Sequence, residues 1–396
     1  MSRKSNQALP LREQARISAK AKQFLAFAFG LLVMATILSA CEGKSNTSEA
    51  LKNNSAETEV EASLVLKNVT LDQVDNQGLP LWKVKAKQAT YSQDQKTALV
   101  NNPTGDLFQD GEVVLQVSAK SGEVKQDGET VFLKDEVIAT DLRNGAVFKG
   151  DELEWRPQED LLVVRNNLQG NHPQLQASAK EGRYFSRQQR LELFGQVAAL
   201  SKEPNFQMKT EHLVWLIQAQ KLIGPVRTQM ERYKNNTLSD RVEADKSEFN
   251  QKTNTVTLKQ NVQLTSLEPP MLMSSNSVVW NLDAQTAASD QPVQIIDQQE
   301  KLTVTANQGQ IDLEREVANF TGGVQGIADR NQAKLYANQL RWDIPTQNMQ
   351  ASGNVIYQQI DPPLLTTGAA AVGKLQDQSI VVNSGAGKPV VTEIIP

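Results

Sequence analysis

Leu302-Thr-Val-Thr-Ala306-Asn-Gln-Gly-Gln-Ile311 is the stretch that decides the fold. It reads as apolar, any residue, apolar, any residue, small; then comes a slip, and an aliphatic or aromatic residue closes it. Anchored on the small residue, the same pattern returns at Ala86, Ala119, Gly150, Ala179, Thr210, Ala244, Ser275, Ala337 and Gly368. The spacing is about 31 residues, within the range that marks repeat architectures. Alternation with period two predicts half-buried strands. The slip of parity after the small residue predicts a bulge or sharp bend that carries each strand from one sheet to a second.

The units can be followed along the chain. Trp82, Val84 and Ala86 alternate with Lys83, Lys85 and Lys87, and the inward set then shifts to Ala89 and Tyr91. Asp110-Gly111, Asp127-Gly128 and Asn144-Gly145 are hairpin signals, and they predict antiparallel pairing. Pro and Gly fall between apolar runs rather than inside them, which supports a strand register throughout. The last unit, Leu364 to Val382, degenerates into Thr-Thr-Gly-Ala-Ala-Ala, as a capping repeat does. The expectation is an all-β array of about ten antiparallel two-strand repeats, hence about twenty layers.

Composition excludes several functions. The net charge of −4 lacks the basic surplus of a nucleic-acid binder. The only histidines, His172 and His212, are far apart in sequence, so no metal site or catalytic triad is expected. Acidic residues such as Asp94, Asp151 and Glu154 fall at turns or outward positions and offer no acid–base pair. No catalytic residue, metal or cofactor is expected.

The amino terminus reads as an address. Six Lys or Arg residues precede the apolar run Phe24–Leu38, which ends in Leu38-Ser39-Ala40-Cys41. This resembles the bacterial lipobox, with Cys41, the single cysteine, as the lipid anchor; an uncleaved signal or anchor helix is the alternative. Both tether the chain to a membrane from outside the cytoplasm. Residues 42–63 are polar and aperiodic and predict a flexible tether.

The inward positions mix bulky residues with small ones. Val84, Val117, Phe148, Trp155, Phe206, Met208, Trp215, Trp280, Val304 and Trp342 are expected to line a lengthwise apolar groove suited to acyl chains. The small anchors admit two explanations: they leave room for a guest, or they merely permit the bend. An Asp in place of Val117, Phe148 or Val304 is expected to block lipid and leave the array folded.

Asp75-Asn-Gln-Gly78-Leu-Pro80-Leu-Trp82-Lys-Val84-Lys-Ala86 resembles the opening of the LptC family, and Ala318-Asn-Phe-Thr-Gly322-Gly-Val324 and Met349-Gln-Ala-Ser-Gly353-Asn-Val355 resemble the strands of LptA and OstA-like domains. The resemblance covers residues 64–385. It implies an elongated open β-jellyroll, LptC-like over 64–235 and LptA-like over 236–385, followed by a loose tail at 386–396. It further implies a non-enzymatic periplasmic carrier, tethered at the inner or outer membrane. Such a carrier takes lipopolysaccharide from the permease subunits of an inner-membrane ABC transporter. It passes the lipid to LptA-like or outer-membrane translocon jellyrolls by pairing of edge strands. The alternative is a scaffold that binds proteins along its edges without lipid. A rival fold, the parallel β-helix, conflicts with the hairpin turns.

Overall fold

The computed structural model describes residues 64–125, 130–201, 206–234, 237–329, 332–361, 363–375, 379–384 and 391–393. The leader with Cys41, the tether at 42–63 and the Asp127-Gly128 turn lie outside them. The described chain is one 28-stranded sheet, and every strand pairing in it is antiparallel, from Val65–Val74 against Pro80–Tyr91 to Leu364–Lys374 against Val391–Glu393. That excludes a parallel β-helix. Seven passes of the chain are broken at mid-length into two strands, so the 28 strands make 21 passes among the described residues. The only helical element there is the 3-10 turn Pro157–Glu159, and among the described residues no helix is long and apolar enough to cross a membrane.

The bend sits where the parity slip predicts. In Pro80–Tyr91 the buried set runs Trp82, Val84, Ala86 and then Ala89, Tyr91. The extra residue, however, lies on the returning strand and not on the strand with the small anchor. Lys134 pairs with Glu152 and Val137 with Gly150, so two residues face one. The bulged pairs are Asp135-Glu136, Asn166-Asn167, Gly195-Gln196, Gln260-Asn261, Gly322-Gly323 and Gly353-Asn354, all with positive φ. Gly, Asn and Asp adopt that left-handed conformation at least cost, which explains much of the composition of these dipeptides. Each is followed by a branched residue that pairs with a small anchor: Val137 with Gly150, Leu168 with Ala179, Val197 with Thr210, Val262 with Ser275, Val324 with Ala337 and Val355 with Gly368. At two anchors the space a side chain would need is already taken, by Val164 and the Asn166 and Arg165 carbonyls at Gly150 and by Val382 and the Asn383 carbonyl at Gly368.

A Cβ on Gly150 would stand 2.5 Å from Val164 Cγ1 and 3.2 Å from the Asn166 carbonyl oxygen. Gly150→Ala is expected to destabilise the array by roughly 1–3 kcal/mol through overpacking, measured by urea unfolding.

The bends divide every pass into two arms, with a row of turns closing each side. In one row a left-handed residue recurs at Asp160, Gln189, Gln220, Asn254, Gln285, Glu316 and Gln347. The carbonyl of each accepts a backbone N–H from the next turn, Ser186 onto Asp160 at 2.8 Å and Leu313 onto Gln285 at 2.8 Å among them. Successive repeats are thus stapled at their tips as well as along their strands.

Residues 61–396 form one compact unit, within which the apolar core separates into two clusters. One runs from Leu71 to Ala287 and the other from Met271 to Ala371, with Leu264 and Ile311 packed against both. The stretch expected to be a loose tail contains a strand, Val391–Glu393, which pairs with Leu365–Thr367. Its physical reason is that Ser379–Asn383 covers only Ala370–Lys374 and leaves the other arm of that strand unpaired.

Candidate functional site: a seamed apolar interior

The two arms of the sheet enclose an apolar interior, and their turn rows face each other along a seam. The interior differs between its two ends. Over the first passes it is filled. Val84, Val117, Phe148, Met208 and Trp215 are buried, and Trp155 is wholly so. Phe148 packs 5.1 Å from Tyr184. An open trench from end to end is not what these residues form: in this part the side chains that point inward pack against one another.

The seam of the filled part is latched. Asp141 is completely buried at the end of Val131–Asp141. Its carboxylate accepts from Tyr184 Oη at 2.7 Å and from Arg143 Nη2 at 2.6 Å. Arg143 also donates to the Ser186 carbonyl at 3.0 Å and to Gln109 Oε1 at 3.0 Å. Arg187 reaches back across the seam to Asp110 at 2.8 Å. Burial, then the Asp141 carboxylate, push the Tyr184 hydroxyl above the usual tyrosine range, so its proton stays in place to be donated. On the outer face, burial raises the pKa of Glu154, but hydrogen bonds from Arg156 and Arg165 outweigh it and hold the carboxyl below its usual range.

The second part holds voids. An open-ended apolar cavity of about 110 Å³ lies between Leu302, Val304, Gly326, Ala328, Leu335, Leu340, Met349, Ala351, Tyr357, Ala371 and Ile380. Two much smaller packing gaps, of about 20 and 10 Å³, meet at Val242, Leu264, Trp280 and Leu313, and Phe206 lines the larger. Of the ten residues expected to line a groove, Phe206, Trp280 and Val304 face these voids. Trp342 is fully buried. Sequence reading missed Leu340, Met349, Ala351 and Ala371. The alanine run of the last unit, read as a degraded cap, was the available signal.

Burial also corrects the expectation for aspartate substitutions. Val117, Phe148 and Val304 are almost inaccessible. A carboxylate there would be buried without a partner, so unfolding is expected rather than a blocked but folded array.

The histidines serve as packing. His172 meets Trp215 edge-on at 4.9 Å, and His212 stacks on Phe194 at 4.4 Å. Among the described residues no group of His, Cys, Asp or Glu is arranged to hold a metal ion.

Fold and site together define an all-β array that encloses an apolar interior. The family model for lipopolysaccharide-assembly, LptC-related proteins matches residues 30–163 and 226–329, more than half of the chain, and the chain belongs to that family. A solved structure of LptH, the LptA-homologous periplasmic component of the conserved lipopolysaccharide transport device of Pseudomonas aeruginosa, is similar at 14% identity, with a TM-score of 0.21, over 40% of this chain and 95% of that one. The comparison with curated proteins returns no match. At the level of the family, the chain is a non-enzymatic envelope protein of lipopolysaccharide transport that works with lipopolysaccharide and with other proteins of that system.

Proposed function

We propose that this protein is a carrier in which the interior of an elongated β-jellyroll shields acyl chains while the polar head of lipopolysaccharide stays in water. The observation that carries the reading is the open-ended apolar cavity of about 110 Å³ among Val304, Leu340, Ala351 and Ala371, the mouth of a path that a guest would widen. Each methylene kept from water there is worth about 0.8 kcal/mol. In this reading Val84, Val117, Phe148, Trp155, Met208, Trp215 and Trp342 mark the remainder of the path, which a guest enters by displacing their packing. Cys41 serves as the lipid anchor, so the array is held at a membrane facing the periplasm. The stretches 64–235 and 236–385 act as two family units in tandem.

Both ends of the sheet support docking. Among the described residues Val65–Val74 pairs on one side only, and Leu64, Val65 and Val74 are exposed. At the far end Ser379–Asn383 is, among the described residues, likewise paired on one side, with Val381 61% exposed. Unpaired strand edges of this kind recruit further strands. The first edge suits a transporter permease domain, the last an LptA-like or outer-membrane jellyroll. The filled interior of the first passes favours a second reading, a scaffold that binds partners by these edges and carries no lipid.

Ala351→Phe and Ala371→Phe separate the two. Each places an apolar ring in the cavity without burying a charge. The carrier reading expects the purified full-length variants to retain several-fold less lipopolysaccharide than the parent, at unchanged thermal stability. Equal retention favours the scaffold.

A further inference from the structure

The seam that is latched over the first passes opens in the second part. One turn row contributes Arg232, Tyr233, Asp240 and Glu268, the other Leu313, Glu314 and Glu316, and between them lies an opening of about 640 Å³. Its floor is apolar, with Leu264, Met271, Met273 and Ile295. Leu264 and Leu313 also line the two small packing gaps beside Trp280, so loosely packed interior lies directly behind the opening. It falls where the two core clusters meet, at Leu264 and Ile311. The packing discontinuity and the opening are therefore the same feature.

The rim is acidic. Arg232, its single guanidinium, is already paired with Asp240 at 2.6 Å and lies 5.8 Å from the Trp280 ring. Glu268, Glu314 and Glu316 form no ion pair among the described residues. Tyr233 is 44% exposed, and its hydroxyl donates to Glu231 at 3.0 Å, which fixes the ring at the rim. Carboxylates repel a phosphate monoester and attract a cation, and an exposed aromatic ring beside them favours a quaternary ammonium.

We propose that this opening is a lateral port that admits the acyl chain of an amphiphile with a cationic or zwitterionic head such as phosphocholine, separately from the open ends of the array. The proposal rests on the reading that the interior takes acyl chains, and not on lipopolysaccharide being the guest. It makes the middle of the chain a second point of access, stopped on the amino-terminal side by the Asp141 latch.

The test uses the full-length chain and two photoactivatable probes with a diazirine on the acyl chain, one a lysophosphatidylcholine and the other the matching lysophosphatidate. Labelled peptides are mapped by mass spectrometry. Labelling is expected at Met273 and Leu313, several-fold stronger for the phosphocholine probe at low ionic strength. Glu314→Gln with Glu316→Gln is expected to narrow that difference, and Met273→Trp to abolish labelling at Leu313. Labelling confined to Val304 and Leu340 overturns the port and leaves the carrier reading standing. No interior labelling overturns the carrier reading itself. Equal labelling by the two probes overturns the selectivity for the head.

Discussion

Asp141→Ala is expected to cost roughly 3–5 kcal/mol, because the substitution strands the partners of a wholly buried carboxylate. Tyr184 and Arg143 both donate to Asp141, and Arg143 also holds Ser186 across the seam. Their loss unpins residues 43 positions apart in the sequence. Urea unfolding measures the cost, and hydrogen exchange at 141–146 and 186–189 shows where it falls. The Asp110–Arg187 pair gives the contrast. Its side chains are 72% and 55% exposed, and Arg187 keeps a second partner in Asp160 at 2.6 Å, so Asp110→Asn, which removes the exposed pair alone, is expected to cost far less than Asp141→Ala. If the two variants proved equally mild, the seam would not be held by the buried carboxylate.

Trp155→Ala is expected to be the other severe change, at roughly 3–5 kcal/mol, since it empties a large site in a filled core. Trp280→Ala serves as its control. That ring is only partly buried and already borders two voids, so its removal is expected to cost roughly half as much or less. The ratio of the two values reads the difference between the filled and hollow parts of the interior. Equal costs would mean that the voids near Trp280 close around its side chain.

Much of this fold was legible in the primary structure because the repeat writes the same geometry many times. The period, the alternation and the slip after Ala86 locate strands and bends without tertiary knowledge. The side of the bulge was not legible. Asn166-Asn167 and Gly322-Gly323 look like ordinary turn-formers, and only the register shows that they carry the extra residue. The split interior was also hidden. Trp155 and Trp280 occupy equivalent places in the pattern, yet one is sealed and the other faces a void. Void volume depends on how neighbouring passes close, which a one-dimensional pattern does not encode. The latch escaped for a simpler reason. Asp110 and Arg187 lie 77 residues apart, and nothing local to either points to the other.

The most direct measurement is a photo-crosslinking residue placed in turn at Val84, Trp155, Phe206, Val304, Leu340 and Trp342 of the full-length chain, in cells that make lipopolysaccharide. A carrier interior predicts lipopolysaccharide adducts at Val304 and Leu340 above all, with weaker ones at the filled positions Val84 and Trp155. Adducts confined to outward-facing control positions such as Lys85 and Leu99, with none at the six interior sites, would contradict it.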